Sequence, residues 1–346
     1  MKRQNNFDLL RFLMAWIVVL NHAHILPHAP SPALVAQLSW VGYVVQVFFV
    51  VSGYLVFSSY ETSKSLSQYY GKRIRRIYPA YAYAIVFWAL AGALLTTMPP
   101  VQYFLSRQLY SYLGFNLLFL NFVAPTLPGV FSSNPWNEVN GALWTLKVEV
   151  LFYALVPALA WLFRRFGLVR ILVLLYLLSA AYVIGIRELA AMTGQFVYGR
   201  LEFQFPGQFS YFLAGGLLYY REAAFRRWLL LGAILAIPLL WFPIPLVNAV
   251  ISPIAVAFVT VWFATQFHFF GNFGRYGDFS FGVYTFHFPI LQWMISEGWF
   301  ERNPIGALTG ACALVMVAAF VSWHVVEKPF LLRSSHYVKA TEEKAP

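Results

Sequence analysis

The stretch from Asn6 to His28, NFDLLRFLMAWIVVLNHAHILPH, sets Asp8, Arg11 and His22 in an otherwise apolar run. On a helix with about 100° and 1.5 Å per residue, Arg11 and His22 fall within about 20° of one face, about 16 Å apart along the axis. Asp8, three residues before Arg11, is spaced for an ion pair with it. Ionisable groups inside a membrane span face a bundle interior or a water-filled cavity and mark a pathway or site. A histidine there can act as a general base near neutral pH. The competing reading sets Asp8 and Arg11 at the cytoplasmic interface, where arginine snorkels, and makes His22 a hydrogen-bonded helix residue.

Other chemistry-bearing residues lie far along the chain. Lys72, Arg73, Arg75 and Arg76 crowd into GKRIRRIYPAY. Arginine offers phosphate a planar donor fork and lysine a point charge, and lipid headgroups would satisfy the same cations. NGALWTLKVEVLFYALVP puts Lys147 and Glu149 near the outer end of an apolar helix, at a depth similar to that of His22. A buried carboxylate needs a partner or a proton. One expectation is therefore a His22–Glu149 pair in which the carboxylate orients the imidazole; the other is a Lys147–Glu149 pair facing outer water. GNFGRYGDFSFGVYTFHFPILQW carries Gly271, Gly274 and Gly277 ahead of His287, which reads either as lining a cytoplasmic entrance or as a packing residue. SWHVVEKPFLLR, with His324, Glu327 and Lys328, reads as an inner-face anchor. Ser52-Gly53 reads as a close helix contact.

Several chemistries have no motif. The chain lacks GxxxxGK[ST], GxSxG and HExxH. Its one cysteine, Cys312, lies in an apolar helix, which leaves no disulfide framework or thiolate zinc site. His22, His24 and His28 have no nearby carboxylate or thiolate, so no metal is expected.

The elements that must position these residues are membrane helices. Of 346 residues 60% are hydrophobic and 11% charged, with a mean hydropathy of +0.64; a soluble domain carries about 25% charged residues. Runs of about 20 apolar residues fall near 7–26, 41–59, 78–97, 142–163, 168–187, 207–220, 228–243, 249–267, 281–297 and 305–326. The expected fold is an all-α, polytopic membrane protein of about ten transmembrane helices with both termini cytoplasmic. The first run is too long for a signal-peptide core and has no small-residue cleavage site, so it reads as a retained span. The net charge of +11 sits in short clusters between apolar runs, as the positive-inside bias requires, so nucleic acid is not an expected partner.

Charge parity decides the status of 107–123, RQLYSYLGFNLLFLNFV. Ten spans place 19 Lys and Arg inside and five outside, whereas a crossing by this segment would leave 12 on each side. The bias therefore predicts a surface-lying or re-entrant outer helix, tolerated where protein or water lines it. Residues 1–333 form one transmembrane domain in this reading, and 334–346 a disordered cytoplasmic tail.

In order, these pieces resemble acyltransferase family 3, the integral-membrane acyltransferases that O-acylate bacterial surface glycans. FDLLRFLMAWIVVLNHAH matches the family's arginine, ten residues, histidine pattern at Arg11 and His22. FFVVSGYLV, RIRRIYPAY, LWTLKVEVLFYALVP, YTFHFPI and VEKPFLLR follow with similar order and spacing, so the likeness runs from about Phe7 to Arg333. Thr145 stands where the family commonly has serine, and Val150 where it often has a second acid.

The resemblance implies transfer of an acetyl or similar acyl group from cytoplasmic acyl-coenzyme A to a hydroxyl of a cell-surface or lipid-linked glycan, in the bacterial cytoplasmic membrane. It implies His22 and Glu149 as catalytic residues, His22 acting as base or as acyl carrier, and Arg11, Arg73, Arg75, Arg76 and His287 at the donor. The partners are then acyl-coenzyme A, a glycan acceptor and membrane lipid. A proton-coupled transporter or exporter, with Asp8, Arg11, His22 and Glu149 as a relay, is the alternative from another class.

Overall fold

A computed structural model describes residues 5–27, 42–241, 245–267, 273–332 and 335, and every regular element among them is helical. The tail 334–346, apart from Ser335, as well as His28 and Gly271, lie outside the described residues. In chain order the helices are α1 (Phe7–Ile25), α2 (Val44–Glu61), α3 (Leu66–Leu95), α4 (Pro100–Leu105), α5 (Arg107–Leu117), α6 (Trp144–Phe166), α7 (Leu168–Thr193) and α8 (Phe196–Leu201). They continue with α9 (Phe205–Tyr220), α10 (Glu222–Phe225), α11 (Leu229–Trp241), α12 (Pro245–Gln266), α13 (Ser280–Ser296), α14 (Trp299–Arg302), α15 (Pro304–Val321) and α16 (Lys328–Phe330).

Local sequence sets several boundaries. Ser106 caps α5 by accepting from the Gln108 amide, and Asn303 caps α15, with Pro304 in the first turn. α7 stops at Gly194, whose φ of +64° is the left-handed geometry that favours glycine at a helix end.

Among the described residues eight helices are long and apolar enough to cross a membrane. The other two runs read as spans from the sequence form α9, of 16 residues, and α13, of 17. Both are buried along most of their length.

The chain divides into two compact units. The first comprises Met1–Phe7, Tyr43–Tyr70 and Val148–Asn272. In it α2 and α9 approach to backbone contact. A Cβ on Gly53 would lie 2.0 Å from the Phe212 carbonyl oxygen, and one on Gly215 2.1 Å from that of Val50. Phe152 stacks on Phe212 with ring centroids 4.4 Å apart, and Arg187 pairs with Glu202 through two hydrogen bonds of 2.9 and 2.6 Å.

The second unit comprises Asp8–Gly42, Gly71–Lys147 and Phe273–Pro346, and holds most of α1, most of α3, and α4, α5 and α13 to α16. α13 packs closely on α15, since a Cβ on Gly282 would meet the Ala319 Cα at 2.7 Å. The segment between α3 and α6 has a definite path along α3. The Tyr103 hydroxyl donates to the Ala89 carbonyl at 2.6 Å, and that of Tyr81 to the Asn116 carbonyl at 2.6 Å. α5 thus descends along α3; the chain then returns, with the Thr97 amide donating to the Gly129 carbonyl. Residues 107–123 are therefore part of a hairpin that begins and ends beside the same end of α3, and they are absent from the membrane-length helices.

Candidate functional site

Two clusters stand on α1, both within the second unit. The lower one gathers around Asp278, which is 2% exposed. Arg76 of α3 and Arg11 of α1 both donate to its Oδ2, Arg11 at 3.1 Å. Its Oδ1 accepts from the Ser280 amide at 3.1 Å and from the Ser280 hydroxyl, closing the first turn of α13. Arg11 also holds Asp8, as the i, i+3 spacing requires. Burial pushes the Asp278 carboxyl up, but the guanidiniums of Arg76 and Arg11 outweigh it and hold the group below the ordinary carboxylate range.

A second acid closes this cluster. The chain winds into a π-helical stretch over Ser322–Glu327, a distortion common at functional sites. It turns Glu327 inward: the side chain is 2% exposed, accepts from the Ser322 hydroxyl at 3.0 Å and lies 3.9 Å from Arg76. The sequence reads Glu327 as part of an inner-face anchor, and the structure buries it instead. His324 and Val325 of that segment stay exposed, with the His324 ring against Phe320.

The upper cluster lies where α1 carries His22, about 16 Å beyond Arg11 by helix rise. His22 Nδ1 is 2.9 Å from His287 Nε2 on α13. His287 has no exposed surface, and its Nδ1 lies 2.7 Å from the Tyr284 carbonyl oxygen. Phe288 meets the His22 ring edge-on at 5.2 Å. The Tyr284 hydroxyl is 2.6 Å from Thr145 Oγ1, so threonine supplies the hydroxyl that serine would. Because Arg11 meets Asp278 and His22 meets His287, α1 and α13 run side by side in the same direction.

The structure thus sorts the residues singled out from the sequence. His22 and His287 come together, and Arg11 and Arg76 converge on one carboxylate. Arg75, one position off Arg76, is exposed. Glu149 belongs to the first unit, where the Tyr153 hydroxyl donates to it, as does that of Ser52 at 3.4 Å. The Lys147 ammonium lies over the Phe122 ring, 4.5 Å from its centroid. Among the described residues no three His, Cys, Asp or Glu side chains are grouped so as to hold a metal ion.

Asp278, Tyr284 and Phe288 are the site residues that sequence reasoning missed. A usable signal existed for Asp278: with 13 acids against 24 Lys and Arg, an acid at the edge of an apolar run is a natural partner for a buried arginine.

Residues 4–324 match the family described as "Acyltransferase domain". A protein named "O-acetyl transferase" from Shigella phage Sf6 is 26% identical over 97% of this chain and 98% of its own length. "Nodulation protein 10" of Rhizobium leguminosarum bv. viciae is 26% identical over 96% of this chain and 95% of its own. An "Uncharacterized protein" of Haemophilus influenzae is 29% identical over 39% of this chain and 56% of its own. No solved structure matches the chain.

Proposed function

The chain belongs to acyltransferase family 3 and is a multi-pass membrane O-acyltransferase, and from that premise we propose that it moves an acetyl or similar acyl group from cytoplasmic acyl-coenzyme A to a hydroxyl of a cell-surface or lipid-linked glycan. The membrane is the bacterial cytoplasmic membrane in this reading. The "O-acetyl transferase" relative supports the acyl group and the oxygen acceptor. The observation that carries the reading is the His22–His287 pair, set about 16 Å by helix rise above the arginines that meet Asp278.

In the proposed reaction His22 is the general base. The acceptor hydroxyl gives its proton to the imidazole as its oxygen bonds to the thioester carbonyl carbon. The carbon–sulfur bond then breaks, and the departing thiolate takes that proton back. A base positioned in this way is worth about 10²–10⁴-fold in rate.

At the inner end Arg73 and Arg75 meet the donor phosphates through bidentate contacts, while Arg11 and Arg76, held by Asp278, form the wall above them. The buried His287 is assigned to His22 and not to the donor. Glu149 is assigned to the first unit's own polar contacts.

The test uses the purified protein in proteoliposomes with radiolabelled acetyl-coenzyme A inside and a glycan acceptor outside. Labelled glycan is the expected product. Export of an unmodified small molecule without any labelled glycan would overturn the reading in favour of a transporter. A stable acyl-histidine recovered on quenching would make His22 the acyl carrier.

A further inference from the structure

We infer that His287 is a positioning residue: it fixes the proton of neutral His22 on Nδ1 and leaves Nε2 as the basic nitrogen. The inference rests on the reading of His22 as the base. It follows from three atoms whose roles are not interchangeable.

A carbonyl oxygen can only accept, so His287 Nδ1, 2.7 Å from the Tyr284 oxygen, carries the hydrogen. Neutral imidazole has one N–H, and its other nitrogen is an acceptor. His287 Nε2 is therefore a lone pair. It lies 2.9 Å from His22 Nδ1, and two facing lone pairs would repel in a site with no exposed surface on His287. The hydrogen between them belongs to His22 Nδ1, which strips His22 Nε2 of its own.

When Nε2 takes a proton from the acceptor, His22 becomes an imidazolium and its Nδ1–H still points at His287. That hydrogen bond becomes charge-assisted and stronger, so it stabilises the state in which the hydroxyl is being deprotonated more than the resting state. His287 keeps its own proton on Nδ1 throughout and gives or takes none. The register is held from both sides: α13 is locked by Asp278 at its start, and the Tyr284 ring lies 5.7 Å from that of His287.

Two variants separate this role from packing. In His287→Gln the amide oxygen reaches the place of Nε2 and can accept from His22. In His287→Asn the shorter amide reaches only the place of Nδ1; it keeps the Tyr284 contact and abandons His22. His287→Asn is expected to lower kcat by about 100-fold at unchanged donor KM, and His287→Gln to stay within about 10-fold of the parent. Nitrogen-15 NMR on histidine-labelled protein in detergent reads the tautomer directly; the chain has seven histidines, and His22→Ala identifies the signal. The parent and His287→Gln should show His22 with hydrogen on Nδ1, and His287→Asn should not.

A His22 signal with hydrogen on Nε2 in the parent overturns the inference, as do equal losses or equal retention in the two variants. If the parent transfers no acyl group, the proposed function fails, and the tautomer measurement still decides the inference.

Discussion

Replacing Asp278 by Asn removes one charge and leaves the shape of the site almost unchanged. Taking one partner from a buried ion pair costs about 3–5 kcal/mol, because the other charge stays behind uncompensated. Here the arginine side chains keep 20% and 15% of their exposure, and Arg11 retains Asp8, which places Asp278→Asn near the lower end, about 3 kcal/mol. The Asn oxygen can still accept from the Ser280 amide, so the first turn of α13 survives. Asp278→Ala loses that bond as well, for about 1 kcal/mol more.

Equilibrium unfolding in mixed micelles, followed by tryptophan fluorescence, measures both variants. The pH dependence has a definite sign. Burial raises the Asp278 pKa, Arg76 and Arg11 lower it more, and the folded value lies below the ordinary 3.8. The stabilisation is then complete above the unfolded value and is lost only as pH falls through the depressed folded value. The gap between parent and Asp278→Asn should be flat from about pH 5 to 8 and close in stronger acid. A gap under about 0.5 kcal/mol at neutral pH would refute the reasoning, since it is the size of an ordinary surface substitution.

Three further outcomes are expected. His22→Ala should lower acyl transfer by about 10²–10⁴-fold with insertion and thermal unfolding unchanged; transfer at the parental rate, in the labelled-acetyl assay, would remove His22 from the mechanism. Arg75→Gln should raise the acyl-coenzyme A KM several-fold at low salt with little effect on kcat, and the difference should shrink at about 0.5 M salt as screening sets in. Gly53→Ala, whose Cβ would sit 2.0 Å from the Phe212 carbonyl oxygen, should cost about 1–3 kcal/mol of stability by overpacking, read by the same unfolding assay.

The eight membrane-length helices were legible because each forms in a long apolar run. Asp8–Arg11 was legible for a similar reason: an i, i+3 pair is set by helix geometry alone. The contacts that build the site are of another kind. Asp278 meets Arg11, and His287 meets His22, from the far end of the chain, and no periodicity records which helix lies beside α1. The sequence leaves His287 as an entrance residue or a packing residue for the same reason: its contact with His22, at 2.9 Å, is made across the length of the chain. Glu327 shows a third limit. The segment reads from the sequence as an inner-face anchor, but a π-helical stretch shifts every following residue around the axis, and Glu327 ends 2% exposed.

The loop before α6 is tied to α13 by two buried side chains, Asn140, which donates to the Thr285 carbonyl at 2.8 Å, and Gln292. The Gln292 amide donates to the Trp136 and Glu138 carbonyls at 2.5 and 2.8 Å and accepts from Asn134 at 3.0 Å. Two of these three ties end on backbone, so they prescribe the route of residues 136–138 and say nothing about which side chains stand there. Exchanging Trp136, Asn137 or Glu138 leaves the carbonyls in place, while exchanging Gln292 releases residues 136–138 from α13 and leaves the Asn140 bond to Thr285. The side chains at 136–138 can therefore be exchanged without disturbing the helix that carries His287.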